Sequence, residues 1–577
     1  MSLFSKTSLP IKIDSDTLVR LFTREDGKPT STTLITTLAA AAAATAILSY
    51  LYFRSSLQRR QKGLLGMDTL PSPERHSLLG NIKDWPKDDW PRIFKDWQAT
   101  YEELFGKRAN VWSARPDNKM VKREMDFGWS LLFMDTTDAF YETRKIFRKV
   151  LGPQAVPDYD HLIDLAAESF IQNLKGFEGD PDTIVKHAVG SVIIKVAYGD
   201  KIHRQYGEEL IKVNGEMVEE ITGAVTQLWL VNFFPWTRFL PSWTPGLSFP
   251  HYAKTARAVI KKVQMWGFSL VQEDVKKGEA DLSVVSKYLN EPTFSEECLR
   301  DGVAMMYFGG VDTTSSALMN FISIMLTYPE VQKKVHEELD QVAGKGVIPS
   351  VGDISSLKYL DAVWKETLRL IPPIPTGVPH TNAVDDIWRG VLIPKGTAIV
   401  PNMSFMLRDP RLWGDDADEF KPERFLPKHN PRWNELPDVH SIAFGFGRRV
   451  CPGRYMAERS WLMLSASVMA AYKVLPMNGR DDDTPVSVKY LTDVQNIWNV
   501  DLWLVNERIK HSPSPQKVSS IDLDVRLLGL TWVKCTTIIS LNIFTIYPQF
   551  LLFKLEYDEV PIRRSLATSR ILLHNPQ

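Results

Sequence analysis

The run Phe444-Gly445-Phe446-Gly447-Arg448-Arg449-Val450-Cys451-Pro452-Gly453 constrains this chain more than any other stretch. A lone cysteine follows a glycine-bearing loop that carries two adjacent arginines. Behind it, Tyr455 to Tyr472 has the length and the alanine, methionine and leucine content of a buried helix. A sulfur so placed lies at a helix N-terminus beside two guanidinium groups, and both features favour a thiolate. The plainer reading is a buried structural cysteine, since most free cysteines act as small apolar residues. That reading leaves the fixed offsets of glycine, arginine and glycine around the sulfur unexplained.

A thiolate on one face of a haem iron pushes electron density toward the opposite face and favours O–O cleavage. Guanidinium forks, in turn, pair well with the two haem carboxylates. The pattern Phe-x-x-Gly-x-Arg-x-Cys-x-Gly is met at Phe444, Gly447, Arg449, Cys451 and Gly453. It is the haem-binding signature of the cytochrome P450 family, which the chain resembles from about Leu70 to about Val494. The resemblance implies a mainly α, haem-thiolate fold with a small β subregion. It also implies haem b as cofactor, with Cys451 as the axial thiolate and Phe444, Arg449 and Gly453 around the cofactor.

Only Cys298 and Cys535 accompany Cys451. Three scattered cysteines frame no disulfide set and lack zinc spacing, which favours a reducing, cytosol-facing compartment. With 69 basic and 69 acidic residues the formal charge is zero, so nothing points to nucleic acid. At 44% hydrophobic and 24% charged, the composition is that of a well-cored globular protein.

Residues 1–33 precede a charge-free run, 34–53, that is 20 residues long and sufficient to span a bilayer as a helix. Arg54, Arg59, Arg60 and Lys62 follow at once, which predicts a cytoplasmic main body. A cleaved signal peptide fits poorly after so many polar residues. The expectation is a single-pass anchor in the endoplasmic reticulum with the catalytic domain facing the cytosol. Residues 54–81 read as a basic and proline-containing linker, 82–494 as the haem domain and 495–577 as an atypical extension. The aromatic stretch from Phe233 to Trp243 reads as an apolar loop between helices. It is either buried by its neighbours or in contact with a bilayer or substrate entrance.

Thr293-Phe294-Ser295-Glu296 reads as a capping box that opens a long helix ending near Tyr328. Inside it lies Gly309-Gly310-Val311-Asp312-Thr313-Thr314. Each glycine costs about 1 kcal/mol in a helix interior, which calls for compensation. A flat cofactor, a local widening, or packing against another helix would provide it. Asp312 and Thr313 suit a proton relay better than a sealed apolar core. By resemblance they are the acid and the threonine of the family's oxygen-activation motif.

Glu366-Thr367-Leu368-Arg369 places two opposite charges on one helix face, in itself a weak pattern shared by many solvated ion pairs. With Phe420-Lys421-Pro422-Glu423-Arg424-Phe425, the resemblance implies a buried network of Glu366, Arg369 and Arg424 that holds the cysteine loop. It further implies that His380 and Arg144 contact propionates. Phe140 stands where the family has tryptophan, so an indole donor is lost there. Val378-Pro379-His380 and Arg408-Asp409-Pro410 with Trp413 are similar to fungal secondary-metabolism members of the O-methylsterigmatocystin oxidoreductase type.

Two regions depart from the family. After Tyr101, Glu102 to Arg108 shows no alternating strand signal, so the first strand hairpin is missing from the expected small sheet. Near the end, His511-Ser512-Pro513-Ser514-Pro515 reads as a displaced piece of a terminal hairpin, and 535–553 is a second charge-free apolar run. A retained intron and a skipped exon would account for both. The implied activity is monooxygenation of an apolar small molecule of terpenoid, polyketide or indole origin. No flavin or dinucleotide fingerprint occurs, so electrons come from a separate NADPH-cytochrome P450 reductase. Arg448, Arg454 and Arg459 are candidates for docking it. The rivals are an O2-independent haem-thiolate isomerase or dehydratase, and an inactive relic.

Overall fold

The computed structural model describes residues 102–476, apart from 176, 178–179, 228, 245–246, 292 and 389–390, together with two strands further on. Residues 387–392 fall in a separate compact unit, and every other described residue belongs to the larger one. The 34–53 and 535–553 runs lie outside the described residues. Among the described residues no helix is long and apolar enough to cross a membrane.

The longer helices, in chain order, are α1 Asp138–Leu151, α2 Asp160–Leu174, α3 Pro181–Tyr198, α4 Asp200–Thr226 and α5 Phe249–Lys277. Then come α6 Glu296–Thr327, α7 Pro329–Val342, α8 Lys358–Leu370 and α9 Arg454–Ala471. Helix α6 is the central rod. It packs on α3, α5, α1 and α9, and its residues from Val303 to Phe308 and from Ala317 to Leu326 are buried nearly without a break. A helix apolar on all sides belongs in a core, and this one is surrounded.

The start of α6 differs from the expected capping box. Ser295, not Thr293, is the cap, accepting from the Cys298 backbone N–H at 3.3 Å. Its own N–H donates to the Glu142 carboxylate at 2.5 Å, so a residue on α1 chooses the cap. Pro329, at the first position of α7, ends α6 where expected.

The β structure is small. Strands β1 His380–Thr381, β2 Asp386–Trp388, β3 Val391–Ile393 and β4 Ala398–Ile399 form two two-stranded sheets, β1 with β4 and β2 with β3. Ahead of β1, the described residues hold no strand, only a single bridge from Ala114 to Thr381. Glu102–Lys107 is π-helical and Ala109–Trp112 α-helical. Near the end, β5 Lys473–Pro476, β6 Leu502–Val505 and β7 Gln516–Val518 form an antiparallel sheet in the order β5-β6-β7.

The aromatic loop resolves in one direction. Phe239 and Trp243 are 82% and 80% exposed, and Phe234 and Trp236 nearly half exposed, so neighbouring helices do not bury it.

Candidate active site

Two tight left-handed glycines shape the cysteine loop. Gly445 has φ 80° and Gly447 φ 55°. A Cβ on Gly447 would stand 2.2 Å from the Phe105 carbonyl oxygen, so only glycine lets the 102–107 turn close against the loop. The Cys451 N–H donates to the Phe444 carbonyl at 2.7 Å, which curls the chain and sets the sulfur just ahead of α9. Gly453 is the cap of α9, and its Cα faces Sγ closely enough that a Cβ would lie 4.0 Å away.

The thiol's surroundings differ from the sequence expectation. Burial pushes the Cys451 thiol up, while the Gly453 N–H, Arg144 and Arg454 pull it down without overcoming burial. The adjacent arginines take no part. Arg448 is exposed and reaches Tyr141, and Arg449 turns away to the chain before α1. A buried, raised thiol becomes a thiolate by binding a metal, which displaces the proton.

Arg449 donates through Nε to Ser113 O (2.8 Å), through Nη1 to Leu131 O (3.1 Å) and through Nη2 to Met134 O (2.8 Å). Its guanidinium lies 4.2 Å from the Phe140 ring centroid, so the residue in the tryptophan position gives up a donor and offers a π-face instead. Burial lowers the Arg449 pKa to about 10. Arg144 donates to Val450 O at 2.7 Å and is lowered by burial, with the Cys451 charge opposing.

A third guanidinium, missed in the sequence, completes the group. Arg115 is 7% exposed, donates to Val378 O (2.9 Å) and Pro379 O (2.8 Å), and leaves its Nε buried with no partner among the described residues. Burial, then the nearby Arg449 charge, holds its pKa well below the usual value. The Ser-x-Arg-Pro spelling at 113–116 was the available signal. A buried arginine close to a second one is costly without an anion. The carboxylate that acts on Arg449, Asp135, is itself exposed and paired with Lys122. This cluster fits the two carboxylates of a haem.

His380 joins the cluster in neutral form. Its Nδ1 lies 2.7 Å from the Trp112 carbonyl oxygen, which can only accept, so Nδ1 carries the proton. Burial, then Arg115, holds its pKa well below the usual histidine value. In this tautomer Nε2 is an acceptor and donates to a carboxylate only after protonation. The Phe105 ring lies against His380, 4.4 Å between centroids and tilted by 36°.

On α6 the two glycines do different work. A Cβ on Gly310 would meet Ile193 at 3.2 Å, so this glycine lets α3 approach. A Cβ on Gly309 would meet nothing within 4 Å. The helix runs through both as α, without the widening considered from the sequence. Thr313 Oγ1 donates back to Gly309 O at 2.7 Å. Asp312 points elsewhere, accepting from Asn214 Nδ2 at 2.7 Å and lying 3.3 Å from Lys186 Nζ. The structure therefore places the acid and the threonine on the same turn but on different faces. Near Gly309, Phe308 meets Phe127 edge-on at 5.6 Å, and Phe127 contacts Trp129 and Phe133.

The third constellation has a buried centre of Glu366, Arg369 and Arg424. Arg369 forks Glu366 through Nε (2.7 Å) and Nη2 (2.8 Å), and Arg424 Nε reaches Glu366 Oε1 at 3.2 Å. Asp416, unseen in the sequence, accepts from Arg424 Nη1 at 2.9 Å and from Lys421 Nζ at 2.8 Å. Burial pushes its carboxyl up, yet these bonds prevail and lower it to about 2. Of the three arginines proposed for docking, only Arg448 is exposed. Arg454 stacks on Tyr455, and Arg459 pairs with Asp160.

A cytochrome P450 family model matches residues 98–493. Cytochrome P450 monooxygenase COX2 of Coprinopsis cinerea is 30% identical over 441 residues, covering 70% of this chain and 82% of its own length. Cytochrome P450 monooxygenase CLM2 of Gibberella zeae is 30% identical over 461 residues, 74% of this chain and 85% of its own. The eriA monooxygenase of Hericium erinaceus is 32% identical over 457 residues, 73% and 85%. The chain therefore belongs to the cytochrome P450 monooxygenase family, whose members carry haem b on a cysteine thiolate.

Proposed function

We propose that this cytochrome P450 oxidises an apolar small molecule in fungal secondary metabolism, with electrons from an NADPH-dependent reductase and its body held against the endoplasmic reticulum. The single observation that carries the reading is the sulfur of Cys451 with Arg144 acting on it, Arg144 belonging to a cluster with the half-buried Arg449 and the buried Arg115 that is poor in protein anions. When bound, haem supplies the redox centre at which one atom of O2 enters a substrate C–H bond and the other leaves as water.

The side chains divide the remaining work. Cys451 is the iron ligand. Arg115, Arg144 and Arg449 hold the propionates, and His380 joins them on protonation. Asp312 and Thr313 carry protons, and Glu366, Arg369, Arg424 and Asp416 hold the loop. The aromatic cluster of Phe127, Phe133 and Phe308, with Phe308 one residue before the open Gly309, supports an apolar substrate. The exposed Phe239 and Trp243 support contact with a bilayer, since adjoining large apolar side chains are costly in water. The exposed Arg448 is the basic residue placed to meet an acidic reductase surface.

A carbon monoxide difference spectrum of the reduced protein tests the reading. A band near 450 nm is expected, and Cys451→Ala abolishes it. A band that survives the substitution, or a protein that takes up no haem, refutes the assignment. NADPH consumption with reductase then separates a working oxygenase from an inactive relic or an O2-independent isomerase.

A further inference from the structure

Two indoles meet in the core behind the cysteine loop. Trp364 on α8 and Trp461 on α9 lie 4.4 Å apart between ring centroids, tilted by 35°. Phe321 of α6 meets Trp461 edge-on at 5.0 Å. Both indoles are buried, Trp364 at 1% exposure and Trp461 at 0%. They connect outward through His440, whose ring centroid is 6.3 Å from Trp364 and 5.7 Å from Phe444. Phe444 belongs to the loop itself, because its carbonyl receives the Cys451 N–H at 2.7 Å.

The indole N–H groups end on different partners. Trp364 Nε1 donates to His440 Nε2 at 3.1 Å, so Nε2 is the unprotonated nitrogen of a neutral imidazole. Trp461 Nε1 is buried with no partner among the described residues. Trp229 and Trp413 donate to the carbonyls of Ala224 and Met406, which accept a hydrogen bond but take up no proton. Trp112 donates to Asp386, a carboxylate already paired with Arg108. Among these five indoles, Trp364 alone has its N–H aimed at a free base. His440 is also set to carry a second proton. Its Nδ1 is 3.9 Å from Asp438 Oδ1, and Glu458 on α9 is near enough for the two charges to act on each other.

An indole is among the most readily oxidised side chains, and a base takes its proton only from within hydrogen-bond reach. We infer that Trp364, with His440 as its proton acceptor, is a redox-active residue that gives one electron to the haem site when an oxidising equivalent there meets no substrate. This rests on Cys451 being the haem ligand. The oxidant is the haem site after reaction with a peracid, or with O2 and two electrons from the reductase. The electron leaves the indole π-system, the Nε1–H bond breaks, and the proton bonds to His440 Nε2. A neutral indolyl radical and an imidazolium result, so the buried indole keeps no charge. One electron from the reductase and the proton returning from His440 restore the pair. Trp461 touches Trp364 but has no acceptor for its own N–H, which settles the radical on Trp364.

The test mixes full-length, haem-loaded protein with a peracid in the absence of substrate and freezes it within milliseconds. Electron paramagnetic resonance is then recorded on protein carrying ordinary or ring-deuterated tryptophan. A radical signal that narrows on tryptophan deuteration is expected in wild type, and Trp364→Phe should lose it. Trp461→Phe should retain it. His440→Gln keeps an acceptor for the indole N–H but is no base, so the radical's lifetime should fall about tenfold or more. Peracid should also bleach the haem faster in Trp364→Phe than in wild type. The carbon monoxide band and thermal unfolding of His440→Gln should match wild type, so this variant decides the matter even where Trp364→Phe does not fold. A wild-type lifetime in His440→Gln overturns the inference, as does an undiminished signal in Trp364→Phe. So does a wild type that shows the carbon monoxide band and no tryptophan radical. A wild type without that band defeats the reading of Cys451 instead.

Discussion

Arg369 grips both carboxylate oxygens of Glu366 within one helical turn, and neither side chain has any solvent exposure. The remaining Arg369 donors reach Leu407 O, Ala417 O and Glu419 O, so the pair clasps the chain leading to the cysteine loop. Removing one member of a buried pair strands the other's charge, at about 3–5 kcal/mol. Glu366→Gln and Arg369→Ala should therefore lower unfolding stability by about that amount and yield protein with less haem. Denaturant unfolding and the haem-to-protein ratio measure this. Full haem content with altered product selectivity would contradict it.

Arg115 should hold cofactor without affecting its ligation. Charge-assisted hydrogen bonds contribute about 1.5–3 kcal/mol, so Arg115→Gln is expected to speed haem loss to apomyoglobin about tenfold or more. The 450 nm band should persist in freshly loaded protein. An unchanged transfer rate would show that Arg115 serves only Val378 and Pro379.

His203 makes stability sensitive to acid. Burial, then the nearby Lys195 charge, lowers its pKa from 6.5 to about 4. Below pH 6.5 the unfolded chain binds this proton and the folded chain does not, so stability falls with acid through the window down to about 4. His203→Gln should flatten the stability–pH curve between those values. Equal slopes for variant and parent would refute the shift.

The exposed aromatic loop predicts bilayer contact independent of the N-terminal run. In protein lacking residues 1–53, Phe239→Asp with Trp243→Asp should weaken partitioning to phosphatidylcholine vesicles about tenfold or more, given the apolar area removed. Vesicle sedimentation reads the change, and equal binding would place the contact elsewhere.

The local spelling of the chain determined a great deal. Gly445 and Gly447 ahead of Cys451 take the left-handed turns that favour glycine, and Glu366 and Arg369 three apart must share a helix face. Pro329 had to end α6. These are matters of backbone conformation and short spacing, which a linear sequence carries directly. Only the tertiary structure decided which partners met. It gave Gly310 to Ile193 and left Gly309 open, moved the cap of α6 to Ser295 through Glu142, and recruited Arg115 and Asp416 from far along the chain. It also turned Arg448 and Arg449 away from the sulfur and aimed Asp312 at Lys186 rather than toward Thr313. Long-range electrostatics and close packing depend on distances in space, and chain order does not encode them.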